Sequence, residues 1–177
     1  MLFFRVIQII SYEIWRIREI MILLYYMSID EYNNIKGANV QLMEELFKSL
    51  GDENRLRILN LLMQQQELCV CELEVLLEMT QSNVSRHLSK LKTTGIISSS
   101  KDAQWVYYKI NPEFKKENEL LYRYLKEKFQ ENSLFIDDIE RYKKYKEHNM
   151  NCHRIKDDKK YVLKILTQEV LIDEEQK

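Results

Sequence analysis

The chain has 177 residues, of which 45% are hydrophobic and 31% are charged, and its formal net charge is −1. This length suits one compact domain with appended helices, and the composition excludes a disordered or collagen-like chain. The three glycines and one proline favour a mainly α-helical fold, because turn-rich β folds need more of both residues. The net charge does not favour a nucleic-acid partner, so evidence for one must be local.

The chain starts with an N-terminal extension, 1–38, of which residues 1–27 are apolar but interrupted by charged residues, among them Arg5, Glu13 and Arg16. A membrane-spanning helix needs about 20 mostly apolar residues without such charges, so we expect no stable membrane insertion. Two interpretations of this N-terminal extension stay open. It is an amphipathic helix that docks on a partner subunit or a membrane surface, or it is translated upstream sequence, because 27–30 is typical of a natural start.

Two helices are predicted after a linker at 33–39. The first ends at Gly51, where a left-handed residue can close a helix, and Asp52 begins the second. The apolar stripe of the first helix is formed by Met43, Leu46, Phe47 and Leu50. Leu56, Leu59 and Met63 of the second helix are expected to face the core.

A pair of short helices follows. The first has apolar residues at helical spacing within 70–77, and polar capping residues at 79–82 end it and start another. In the second, Val84, Leu88 and Leu91 form the stripe to be buried, which leaves the polar side chains facing outward. This pattern is typical of a helix-turn-helix, whose second helix lies in the major groove of DNA. An ordinary two-helix hairpin is the alternative.

The segment after Gly95 predicts a β-hairpin with strands at 96–100 and 104–110. Lys101 lies in the turn, where it could reach phosphate or the minor groove. Asn111 as N-cap and Pro112 at the first helical position then open another helix. Its apolar face suits a dimer partner and consists of Leu121, Tyr124, Leu125 and Phe129. A further helix is expected from Ser133, and a final one contains Val162, Ile165, Leu166 and Val170.

Cys69 and Cys71 lie at the predicted start of the first short helix. A helix N-terminus lowers the pKa of a thiol, and thiolates bind soft acceptors such as trivalent arsenic or antimony, or cadmium, lead and zinc. Residues i and i+2 of a helix point about 200° apart, so we expect a bound ion to unwind the first turn. The alternative is that both cysteines are small apolar residues beside Val70. Three cysteines without a disulfide framework favour a cytoplasmic location.

The motif ELCVCEL at 67–73, followed by SNVSRHLSKL at 82–91, resembles the ArsR/SmtB family of metal-sensing transcriptional repressors, specifically its arsenic-responsive branch. LGDENRLRILNLL (50–62) and GIISSSKDAQWVYYKINP (95–112) resemble the helix pair and β-wing of that family. The resemblance implies a mainly α fold with a small β-hairpin: a winged helix-turn-helix with extra N- and C-terminal helices. The DNA-binding and dimerisation domain would be 39–131, and 132–177 a C-terminal helical extension.

The resemblance also implies a function. It implies a non-enzymatic homodimer that needs no cofactor, binds double-stranded operator DNA, and is released when As(III) or Sb(III) binds Cys69 and Cys71. The sequence departs from the arsenic-responsive branch at Glu74, where a third cysteine is often found. Cys152, near two histidines in HNMNCH, is the only candidate for a third ligand, and an isolated exposed cysteine is the alternative description. No histidine lies at 113–131, which excludes the zinc site of the family.

The residues predicted to contact DNA lie on the second short helix and the wing, and they are Gln81, Ser82, Asn83, Ser85, Arg86, His87, Lys90 and Lys101. Arg86 and Lys90 suit guanine edges or phosphate. His87, at the edge of the buried stripe, is either structural or a phosphate contact. Two other functions stay open: a DNA-binding protein with a redox-sensing or divalent-metal thiol pair, and a thiol enzyme. The enzyme would need C-x-x-C spacing and a βα alternation, and both are lacking.

Overall fold

The computed structural model describes residues 38–64 and 67–168. The predicted N-terminal docking segment therefore lies, but for Ala38, outside the described residues. The helices are α1 (Ala38–Leu50), α2 (Glu53–Gln64), α3 (Val70–Leu76), α4 (Gln81–Thr93), α5 (Pro112–Glu117), α6 (Glu119–Phe129), α7 (Ser133–Glu147), α8 (Cys152–Asp157) and α9 (Lys159–Gln168). The strands are β1 (Leu68–Cys69), β2 (Ile97–Asp102) and β3 (Trp105–Ile110). The chain divides into two units, Met1–Glu44 and Glu45–Lys177.

α1 ends at Leu50, directly before Gly51 as predicted, but Gly51 does not have a left-handed backbone. Of the described glycines, only Gly95 has a positive φ. Gly51 instead donates its N–H to the carbonyl of Phe47 at 2.9 Å, and a Cβ at this position would lie 3.3 Å from that oxygen. A glycine therefore suits this position because of a close backbone approach. Asp52 then caps α2, because its Oδ1 accepts the N–H of Arg55 at 3.0 Å.

α3 and α4 form the predicted helix-turn-helix. Thr80 is the N-cap of α4, and its hydroxyl accepts the N–H of Asn83 at 3.3 Å. The predicted stripe of Val84, Leu88 and Leu91 is fully buried. The spacing of apolar residues was therefore sufficient to orient α4.

The wing belongs to an antiparallel sheet of three strands in the order β1-β3-β2. Asp102 pairs with Trp105, which leaves Ala103 (φ 49°) and Gln104 as a two-residue turn. Lys101 therefore lies within β2 opposite Val106, and its prediction as a turn residue was wrong. The sequence also gave no indication of β1, because a two-residue strand is too short to show alternation.

The helix opened by Asn111 and Pro112 has the predicted cap, but it breaks at Asn118 into α5 and α6.

The C-terminal extension shares one hydrophobic core with the helix-turn-helix, so the predicted boundary at 131/132 separates two segments of sequence that pack into a common core. The residues that the extension contributes to this core include Tyr145, Met150, Ile155, Val162 and Leu166, all of which are buried.

None of the helices in the described ranges is long and apolar enough to cross a membrane.

The predicted dimer face of α6 needs a correction. Leu121, Leu125 and Phe129 pack against the core of the same chain, and the apolar residues that α6 exposes are Leu120 and Tyr124. The physical reason is that this side of α6 packs within the chain, where the ring of Phe129 contacts that of Phe135 of α7, with centroids 4.6 Å apart. The sequence pattern showed an apolar face but not which element would cover it.

Candidate thiol site and nucleic-acid interface

The three cysteines of the chain meet at one place. The sulfur atoms of Cys69, Cys71 and Cys152 all lie within 4.8 Å of one another. The structure joins Cys69 to Cys152 by a disulfide and leaves Cys71 as a free thiol. Cys69 and Cys152 are buried, whereas Cys71 is half-buried. The structure thus assembles a set of three soft ligands from residues 83 positions apart in sequence.

Cys69 and Cys71 come together because they are not both inside the helix. Cys69 is the last residue of β1 and the N-cap of α3, with an extended backbone (φ −90°, ψ 168°). The opposed directions expected of residues i and i+2 apply only when both have helical dihedrals. The prediction that the first helical turn must unwind was therefore wrong for this geometry.

A reciprocal capping interaction fixes this corner. The sulfur of Cys69 accepts the N–H of Glu72 at 3.4 Å, and Glu72 Oε2 accepts the N–H of Cys69 at 2.9 Å. This is a capping box with a cysteine sulfur in the place usually taken by a hydroxyl. The spacing C-x-x-E in the sequence was the pattern that could have indicated it.

The third sulfur comes from the C-terminal extension. Cys152 is the first residue of α8, and Asn151 caps that helix by accepting the N–H of Arg154 at 2.9 Å. Cys152 is only 5% exposed, so its description as an isolated exposed cysteine was wrong. The fold of α7 and α8 over α3 brings it to the other two cysteines, a long-range contact that no local pattern indicates.

The expected low pKa at the helix start is not found. Burial, and next the negative charge of Glu72, raise the pKa of Cys71 to about 12. Burial also raises the pKa of Glu72, which accepts hydrogen bonds from Cys69 N–H and from the hydroxyl of Tyr145. Desolvation and a nearby carboxylate outweigh the dipole of so short a helix. Cys71 is therefore a protonated thiol at neutral pH.

The thiol cluster also contacts the wing. Cys69 pairs with Tyr107 of β3 in the sheet. His153, next to Cys152, packs edge-on against Trp105 of β3, with ring centroids 5.8 Å apart and an interplanar angle of 82°. The cluster therefore lies where the wing, α3 and α8 meet.

On the predicted DNA-reading helix α4, the side chains of Gln81, Ser82, Ser85 and Arg86 are exposed and that of Asn83 is partly exposed. Arg86 Nη2 donates to Asn83 Oδ1 at 2.6 Å, which orients the guanidinium along the outer face. The structure thus presents five predicted residues together on one helix surface.

Two further predicted contacts have other partners. Lys90 forms an ion pair with Glu45, and the hydrogen bond from Lys90 lowers the pKa of that carboxyl. His87 is only 5% exposed, and its Nδ1 lies 3.5 Å from Asp52 Oδ1. Burial lowers the pKa of His87. Its prediction as a phosphate contact is wrong for this conformation, because the ring lies inside the core between α2 and α4.

Comparisons with known proteins bear on this combination of helix-turn-helix, wing and thiols. A family model described as "Bacterial regulatory protein, arsR family" matches residues 52–99. An arsenical resistance operon repressor of Bacillus subtilis is 40% identical over 78 residues, which are 44% of this chain and 74% of that protein. The chain belongs to the arsR family. The matched range includes Cys69, Cys71 and all of α4 but ends before Cys152, so the third sulfur of this arsR-family chain comes from outside the family model.

Two further relatives differ in the resistance for which they are named. An arsenic resistance transcriptional regulator of Pseudomonas putida is 46% identical over 68 residues, 38% of this chain and 53% of that protein. The cadmium resistance transcriptional regulatory protein CadC of Listeria innocua is 44% identical over 62 residues, 35% of this chain and 52% of that protein. This arsR-family chain thus spans about half the length of these two relatives.

Proposed function

We propose that this arsR-family chain is a transcriptional repressor that binds operator DNA as a homodimer and leaves it when trivalent arsenic or antimony binds Cys69, Cys71 and Cys152. The observation that carries the proposal is the meeting of three sulfurs within 4.8 Å beside the first helix of the helix-turn-helix. Relatives named for arsenic resistance support the same effector class.

The chemistry of the thiols favours arsenic over divalent ions. Arsenous acid, As(OH)₃, condenses with three thiols: three As–O bonds break, three As–S bonds form, and the thiol protons leave with the hydroxyl groups as three waters. No electron is transferred. A divalent ion instead binds thiolates, so protons must be released. Cys71, whose pKa is raised to about 12, retains its proton at neutral pH and suits the condensation better.

The backbone spacing is also suitable for a bridging atom. The Cα atoms of Cys69 and Cys152 are 7.5 Å apart, beyond the range of about 4.4–6.8 Å common for disulfides. In the reduced protein, an atom between the sulfurs would accommodate this spacing without bringing β1 and α8 closer together. Within 38–64 and 67–168, the cluster has three sulfurs and no fourth ligand, which matches the preference of trivalent arsenic, whose lone pair occupies the remaining position.

The position of the site suggests how binding changes affinity for DNA. Ligation of Cys152 fixes α8 to the junction of β1 and α3, and α3 supports the DNA-reading helix α4. Through His153 and Trp105, α8 also contacts the wing. An effector that favours one arrangement of α3, α4 and wing over another shifts the protein between two states with different DNA affinities.

DNA binding in this proposal uses the exposed face of α4, and apolar side chains exposed within Glu45–Lys177 supply the dimer contacts. Those side chains include Phe47, Leu120 and Tyr124. Exposed apolar side chains of this size are typical of protein interfaces. We therefore expect the protein to elute as a dimer in size-exclusion chromatography with light scattering.

Two observations favour alternative stimuli at the same site. The cadmium-resistance relative favours a divalent soft ion such as cadmium, lead or zinc. The disulfide between Cys69 and Cys152 favours redox sensing, in which the two thiols lose two electrons and two protons to a peroxide, which is reduced to two waters. Titration with arsenite, with a divalent soft ion or with peroxide distinguishes the three stimuli, because each proposal predicts release of DNA by a different one.

The deciding experiment titrates arsenite, under reducing conditions, into protein bound to fluorescent DNA from upstream of its own coding sequence and follows anisotropy. Wild type, Cys69→Ser, Cys71→Ser and Cys152→Ser are compared, with Met150→Leu as the control. Met150 lies two residues before Cys152 and is buried, and a volume-conserving change there should preserve release. We expect arsenite to release wild type and the control, while the three cysteine variants bind DNA but are not released.

Other outcomes are equally informative. If arsenite still releases DNA from Cys152→Ser, the arsenic site consists of Cys69 and Cys71 alone. Wild type that stays bound at saturating arsenite would contradict the arsenic proposal, and the same plate with cadmium, lead and peroxide would then identify the stimulus. A DNA-free readout is the emission of Trp105 in a Trp15→Phe background, because arsenite binding at Cys152 should move the neighbouring His153 against Trp105.

A further inference from the structure

A groove of about 730 Å³ lies between α9 and the turn that joins α3 to α4. One wall carries Thr80, the N-cap of the DNA-reading helix. The other is formed by α9 and includes Lys160, Leu163, Lys164 and Thr167. The C-terminal extension therefore reaches the end of α4 that leads into the DNA interface.

The groove has excess positive charge. Its two carboxylates are already paired: Glu74 accepts from Lys159 at 2.6 Å, and Glu78 forms an ion pair with Arg141. Lys160 and Lys164 lie one helical turn apart and are exposed, and neither has an ion-pair partner within 38–64 and 67–168. Two ammonium groups thus face solvent on the same side of α9, beside the start of α4.

We propose that this α9 groove is a second DNA contact surface, in which Lys160 and Lys164 bind phosphates of the operator strand that passes the N-terminus of α4. The proposal rests on the DNA binding proposed above and extends it beyond residues 52–99, where the family model matches. The groove therefore gives the C-terminal extension a role in DNA binding in addition to the supply of Cys152.

Two features argue for a phosphate backbone as the occupant. The first is continuity: Thr80 belongs both to the groove and to the N-cap of α4, so a strand lying along the outer face of α4 passes the groove. The second is the kind of charge, because a lysine binds phosphate as a flexible point charge without needing a fixed planar geometry. Phosphate contacts of this kind fix the register of a reading helix without selecting bases.

The test is the salt dependence of DNA binding. Each neutralised phosphate contributes about 0.9 to the slope of log K against log salt. Replacing both lysines in both subunits of a dimer, as Lys160→Gln with Lys164→Gln, removes about four contacts, so the slope should fall by about 3 to 4. The matched control is Lys143→Gln with Lys146→Gln, which removes the same charge from exposed positions of α7 in the same extension. The control should leave the slope within about one contact of wild type.

An unchanged slope in the α9 variant, or an equal fall in the control, would overturn the proposal. Tighter binding by the α9 variant would also overturn it, because the lysines would then oppose DNA. Far-UV circular dichroism verifies that both variants are folded. Phosphate ethylation interference then compares wild type with the α9 variant: the phosphates near the N-terminus of α4 whose ethylation weakens binding of wild type should no longer affect binding of the variant. If wild type does not bind the promoter at all, the proposed function fails with the inference. If it binds and is released by arsenite while the slopes agree, only the inference fails.

Discussion

Tyr145 donates its hydroxyl to Glu72 Oε1 at 3.1 Å, while Glu72 Oε2 accepts the N–H of Cys69 at 2.9 Å. One partly buried carboxylate thus connects α7 of the C-terminal extension to the first residue of the thiol site. Tyr145 is completely buried, so the extension supports the helix-turn-helix directly. Changes in α7 are therefore expected to affect both stability and the thiol site.

Tyr145→Phe should lower the free energy of unfolding by about 1–2 kcal/mol, because the ring still fills its space while the partly buried carboxylate of Glu72 loses a hydrogen bond. Urea denaturation followed by circular dichroism measures the loss. Tyr161→Phe is the matched control, since Tyr161 is 41% exposed and its change should cost less than about 0.5 kcal/mol. Equal losses in the two variants would show that the Tyr145 hydroxyl contributes nothing specific.

Arg57 donates two hydrogen bonds to Asp138, at 2.6 and 2.8 Å, and joins α2 to α7. The Asp138 side chain is only 3% exposed, so Asp138→Ala leaves a largely buried guanidinium without its partner. We expect a loss of about 3–5 kcal/mol in urea denaturation. The double variant Arg57→Met with Asp138→Leu should regain most of this loss, because it removes both charges from the interior.

The contrasting pair is Arg141 with Glu78, in which the carboxylate side chain is 50% exposed. Glu78→Gln should cost less than about 1 kcal/mol, because solvent screens such a pair. A loss there as large as that of Asp138→Ala would mean that burial does not determine the strength of these ion pairs.

The raised pKa of Cys71 predicts a pH dependence of stability. Above about pH 8.5 the thiol ionises in the unfolded chain, whereas in the folded chain it retains its proton up to about pH 12. The unfolded state then binds fewer protons than the folded state, so stability falls as pH rises above about 8.5. Under reducing conditions, the urea midpoint of wild type should fall more steeply between about pH 8.5 and 10 than that of Cys71→Ser. Parallel curves would contradict a buried, protonated thiol.

Arg86 is an exposed cation on the outer face of α4, and its guanidinium donates a hydrogen bond to Asn83. Arg86→Ala should weaken operator binding by about 1–3 kcal/mol, a loss of about 5- to 150-fold, if the guanidinium reads a guanine edge. Anisotropy with operator and with random-sequence duplexes distinguishes the roles: a base contact affects the operator alone, and a phosphate contact affects both. Lys116→Ala, an exposed lysine of α5, is the control and should leave both affinities unchanged.

The sequence by itself determined the local elements. The apolar stripe of Val84, Leu88 and Leu91 predicted the orientation of α4, and the capping residues Thr80 and Asn111 predicted two helix starts. The two β-rich segments after Gly95 predicted the hairpin that forms the wing. These features depend on residues within one or two helical turns or on a pair of adjacent strands. Periodicity and capping chemistry record such short-range relationships directly in the chain.

Only the tertiary structure decided the thiol site. Cys152 reaches Cys69 and Cys71 because α7 and α8 fold over α3, and the position of Cys69 at the N-cap depends on β1 pairing with β3. The burial of His87 and the raised pKa of Cys71 arise in the same way, from groups distant in sequence that exclude water. Desolvation depends on which elements pack together, a long-range property that the local sequence pattern does not encode.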